Sequence, residues 1–89
     1  MTIYNVSYDL RAPGRDYKDL YDEIGRFGSC ANPVESTWLI ECDLTATQLA
    51  NRLLTVMDSN DKLIITKYGD GIAWYNLDKE VEDWIRRKL

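Results

Sequence analysis

The stretch Thr2-Ile3-Tyr4-Asn5-Val6-Ser7-Tyr8-Asp9-Leu10 constrains the fold of this chain more than any other. Side chains of an extended chain alternate between two faces, so Ile3, Asn5, Ser7 and Asp9 share one side while Tyr4, Val6 and Tyr8 share the other. A strand with one aromatic, apolar face has to lie in a sheet that other elements cover on that side. The polar face ends on Asp9, just before Arg11-Ala12-Pro13-Gly14-Arg15. An aspartate in that position has two readings. It can satisfy the backbone of a turn, the usual work of Asp in such places, or it can present a carboxylate at the rim of the sheet.

Downstream the period changes repeatedly. Asp16 is placed to cap a helix running to about Phe27, with Tyr17, Leu20, Tyr21, Ile24 and Phe27 at three- and four-residue spacing and Gly28 as its stop. Its outer face, Lys18, Asp19, Asp22, Glu23 and Arg26, reads as solvated surface. Ser29–Val34 is a weak strand, because the proline of Asn32-Pro33 cannot donate to a ladder, and Glu35–Cys42 is a stronger one. Thr45-Ala46-Thr47-Gln48 is a capping box opening a second helix that carries Leu49, Ala50, Leu53, Leu54, Val56 and Met57. Asp58-Ser59-Asn60-Asp61 ends that helix; the glycine and distal glutamate of a calcium loop do not follow. Lys62–Tyr68 is a further strand, whose continuous Leu63-Ile64-Ile65 run is that of a central, covered one, Gly69-Asp70-Gly71 a turn and Ile72–Asn76 another strand. A last amphipathic helix starts at Asp78, with Val81, Trp84, Ile85 and Leu89 on one face and Arg86-Arg87-Lys88 at its negative pole.

This order predicts one α+β domain over residues 1–89: a ferredoxin-like βαββαβ sandwich with an added C-terminal strand and helix. The first two helices cover one sheet face; a second copy of the chain or the last helix covers the other. With 89 residues the core is modest, and a homodimer is expected. The net charge of −4 argues against a surface that coats nucleic acid as a whole, though not against a local basic patch. Two cysteines, Cys30 and Cys42, and no histidine leave no zinc spacing; both read as reduced thiols of a cytoplasmic protein. No segment has the roughly 18 to 20 apolar residues of a membrane span.

The segments Ile3–Leu10, Glu35–Thr45 and Asp61–Ile65 together resemble the small CRISPR-associated endoribonuclease superfamily. That superfamily holds the ferredoxin-like partner of the spacer integrase, the virulence-associated protein D toxins and a SinR-like branch, to which this chain is most similar. The resemblance covers about residues 2 to 68. It implies a homodimer that brings two copies of Asp9 together near its axis, where active members hold a divalent metal such as Mg²⁺ or Mn²⁺ and cleave phosphodiesters. It also implies Ser36 as a neighbour of the site.

Three readings of function follow. The first is a non-catalytic dimeric adaptor or scaffold in a defence or mobile-element setting, with a protein partner and with Trp38, Trp74, Trp84 and six tyrosines available for interfaces. The second is a metal-dependent endonuclease acting on RNA or DNA, with Asp9 as metal ligand and catalytic residue and Arg11, Arg15 and Lys18 as nucleic-acid contacts. A small-molecule sensor or ligand-binding ferredoxin-like domain is a third reading, for which no triad or phosphate-cradling glycine loop defines a site.

Overall fold

The computed structural model describes residues 1–12, 17–69 and 71–89. In chain order the elements are β1 (Thr2–Asp9), α1 (Lys18–Gly25), β2 (Cys30–Val34), β3 (Thr37–Cys42), α2 (Ala46–Leu54), β4 (Lys62–Lys67) and α3 (Lys79–Lys88). The strands form one sheet in the order β2-β3-β1-β4, with every neighbouring pair antiparallel. The fold is therefore a small α+β domain. β1 is central, paired with β3 from Thr2↔Cys42 to Ser7↔Thr37 and with β4 from Tyr4↔Lys67 to Asp9↔Lys62.

The alternation along β1 sorts the core into two layers. Tyr4, Val6 and Tyr8 face α1 and α2, where they meet Leu20, Ile24, Ile40, Cys42, Leu49, Leu53 and Met57. The two helices are tied by Arg52, whose Nε lies 2.8 Å from the Glu23 carboxylate and whose guanidinium stacks 4.9 Å from the Phe27 ring centre. The capping box is formed: Gln48 N donates to Thr45 Oγ1 at 3.1 Å, and Thr45 N donates to Gln48 Oε1 at 2.9 Å. Gly28 adopts φ +78°, a conformation open to glycine after the end of α1.

On the opposite face α3 lays Trp84 and Ile85 over Ile3, Ala31 and Leu39, with Tyr68, Trp74, Leu77 and Val81 around them. The last helix thus supplies part of the cover that the second face needs. It packs along β2, on one side of the sheet. Lys88 Nζ, 3.0 Å from Glu41 Oε1, fastens its end to β3 and holds the Glu41 carboxyl below its ordinary value.

Three expectations are corrected. Ile72–Asn76 is not a strand. Trp74 turns onto α3 instead, donating from Nε1 to Glu82 Oε2 at 2.9 Å and lying under the Arg86 guanidinium at 5.3 Å; Asn76 takes φ 61°, which breaks an extended run. Glu35 and Ser36 belong to the turn between β2 and β3 rather than to β3 itself. Helix α1 ends at Gly25, two residues early, with Arg26 and Phe27 in a looser turn. The expected cap Asp16 and turn residues Pro13, Gly14 and Asp70 lie outside the described residues.

Candidate functional site at the end of the first strand

Asp9 is the last residue of β1 and shares its sheet face with Ile3, Asn5 and Ser7, as alternation requires. Its carboxylate is about half exposed. Arg11, two residues on, turns back to it: Nε and one terminal nitrogen lie 2.8 and 2.7 Å from Asp9 Oδ2. Across the ladder Asp9 is paired with Lys62. Ser7, Tyr8, Asp9, Lys62, Leu63 and Ile64 line a shallow hollow of about 200 Å³.

Behind the rim stands a second acid that the sequence did not single out. Asp61 Oδ1 accepts from Arg11 N at 2.6 Å and from Tyr17 OH at 2.7 Å, while its Oδ2 accepts from Asp58 N at 2.8 Å. One carboxylate thereby holds the exit of β1, the start of α1 and the loop before β4. Ionised acceptors make the stronger hydrogen bonds, so this residue fixes the rim on which Asp9 sits. Its partners lie up to 50 residues away in sequence, which is why local pattern shows only a helix-ending turn.

Of the other expected site residues, Ser36 lies in the β2–β3 turn, and its carbonyl accepts from Tyr8 N at 3.1 Å, one residue from Asp9. Ser36 is accordingly a main-chain neighbour of the strand end. Lys18 opens α1, and its Nζ is 2.6 Å from Asp22 one turn on. Arg15 lies outside the described residues. On the same face as Asp9, Ser7 Oγ bonds to Asn5 Oδ1 at 3.2 Å and to Thr37 Oγ1 at 3.0 Å. On the other face Tyr8 accepts from Trp38 Nε1 at 3.0 Å. Burial pushes the Tyr8 phenol above its ordinary value, and the Trp38 bond offsets part of that.

Mg²⁺ and Mn²⁺ take several oxygen ligands. One protomer offers them a single strand-end carboxylate with a guanidinium already 2.7 Å away. Among the described residues no group of three or more His, Cys, Asp or Glu side chains is placed to hold a metal ion. Among the described residues, the donors of one protomer therefore fall short of the set such an ion takes. Likewise, among the described residues no helix is long and apolar enough to cross a membrane.

No protein-family model, no curated protein and no solved structure matches this chain.

Proposed function

We propose that this protein is a non-catalytic homodimeric adaptor or scaffold with a ferredoxin-like fold, akin to the SinR-like branch of the CRISPR-associated endoribonuclease superfamily, acting in a defence or mobile-element setting. The strand order β2-β3-β1-β4 with α1 and α2 on one face supports the fold reading. The observation that carries the adaptor reading is the Asp9–Arg11 pair. The acid that a nuclease would give to a metal is instead engaged by its own turn. Self-association is supported by the exposed apolar side chain of Ile64 on the outermost strand, 63% exposed.

The alternative is a metal-dependent endonuclease with Asp9 paired across a dimer axis. What favours it is the exposed place of Asp9 on the rim beside Arg11 and Lys62. Incubating purified protein with RNA or DNA in Mg²⁺ or Mn²⁺ separates the two. The adaptor reading expects no cleavage beyond that of Asp9→Asn. Cleavage that Asp9→Asn abolishes would overturn it in favour of the endonuclease.

A further inference from the structure

The two edges of the sheet are built differently, and the open one has a self-complementary register. β4 pairs with β1 in unbroken register over six residues, and among the described residues no strand lies on its other side. Tyr68 N donates to Ile3 O at 2.8 Å, which sets the phase of the ladder. Residues that alternate with Tyr68, namely Leu63, Ile65 and Lys67, then turn their N–H and C=O groups away from β1. Such a row is a ready template for another strand. The usual protections are sparse here: β4 has no proline and no bulge, and its two lysines stand at the ends, leaving Leu63-Ile64-Ile65-Thr66 uncharged.

We infer that β4 pairs antiparallel with β4 of a second copy of this chain, joining two four-stranded sheets into one continuous sheet with Ile64 opposite its twin on the two-fold axis. The inference rests on the homodimer reading above and names its surface. In this register Leu63 of each copy exchanges both backbone bonds with Ile65 of the other, and Lys62 stands opposite Thr66. Lys67 stands opposite Asp61, an acid facing a base. No like charges meet. Ile64, the exposed large apolar residue of the strand, is buried at the closest kind of cross-strand pair. A two-fold interface demands that one patch complement itself, and this sequence does so in that register. A strand from an unrelated protein would gain the same backbone bonds but not the Ile64 twin or the Lys67–Asp61 match. An edge pair of this length buries less than the roughly 1,200 Å² of a standard interface, so the dimer dissociates on dilution.

The test uses the full chain with Cys30→Ser, into which Ile64→Cys is introduced, with Val34→Cys on the opposite edge as comparison. Mild oxidation is expected to cross-link the Ile64→Cys protein into a dimer and to leave the Val34→Cys protein uncross-linked. In sedimentation equilibrium Ile64→Lys, folded by circular dichroism, is expected to associate at least about tenfold more weakly than the wild type, since two lysines then face each other. A wild-type dimer with no Ile64→Cys cross-link would overturn the β4 edge while leaving the homodimer reading in place. A monomer at all concentrations would overturn both.

Discussion

The sheet has two edges, and they solve the same problem in opposite ways. At β2 the chain blunts its edge three times over. Pro33 has no N–H to offer, the register with β3 shifts between Ala31 and Val34, and the Asn32 amide donates to the Val34 and Thr37 carbonyls at 2.8 and 2.7 Å. Helix α3 also packs along β2 from the second face. β4 has none of these devices, and its Ile64 is exposed. A chain that spends sequence on closing one edge and leaves the other in clean register confines pairing to a single side. Open-ended stacking needs two usable edges; one usable edge stops at a dimer.

The contrast can be broken most directly at the helix that backs the closed edge. Trp84, on the sheet-facing side of α3, is 6% exposed, and Trp84→Ala is expected to lower unfolding free energy by about 3–5 kcal/mol in urea titration. A loss below about 1 kcal/mol would mean that α3 is not what covers this side. Asn32→Ala removes two bonds to carbonyls at the β2 bulge and should cost about 1–2 kcal/mol by the same titration, with association at β4 unchanged. If association rose instead, the side chain would be a guard of that edge in its own right.

The tie between Lys88 and Glu41 sharpens the contrast through pH. Lys88 holds the Glu41 carboxyl below its ordinary 4.5, so the folded state favours the ionised form. That contribution is present above about pH 4.5 and is lost as pH falls through the lower folded value. The melting temperature of the wild type should therefore exceed that of Glu41→Gln at pH 6, and the gap should close towards pH 3. A gap that widens in acid would contradict this sign. Smallest of all is Asp9→Asn. Both partners of that ion pair are about half exposed, and the change should cost under about 1 kcal/mol in urea titration.

Much of this architecture is legible in the sequence where the signal is local. The alternation of Ile3–Asp9 foretells the core layer beneath α1 and α2, and Thr45 with Gln48 foretells the start of α2 to the residue. The segment 72–76 misleads because its propensities suit a strand, while its conformation is decided by Trp74 finding Glu82 and Arg86 on a helix that follows. At the rim the sequence marks Asp9 and Arg11 as separate candidates, and that they bind each other depends on how the chain turns after β1 ends. Asp61 is not marked even as a candidate. Its bonds to Arg11 and Tyr17 exist only once β1, α1 and β4 have come together. The open edge is equally invisible in the sequence, since β4 looks like a central, covered strand by its Leu63-Ile64-Ile65 run and only the strand order shows it to be outermost.

Backbone amide exchange followed against protein concentration tests the difference between the edges most directly. Leu63, Ile65 and Lys67 should exchange rapidly in dilute protein and become protected as concentration rises, while Ala31 and Asn32 in β2 keep the same rates throughout. Equal rates for the three β4 amides at every concentration would contradict pairing at that edge.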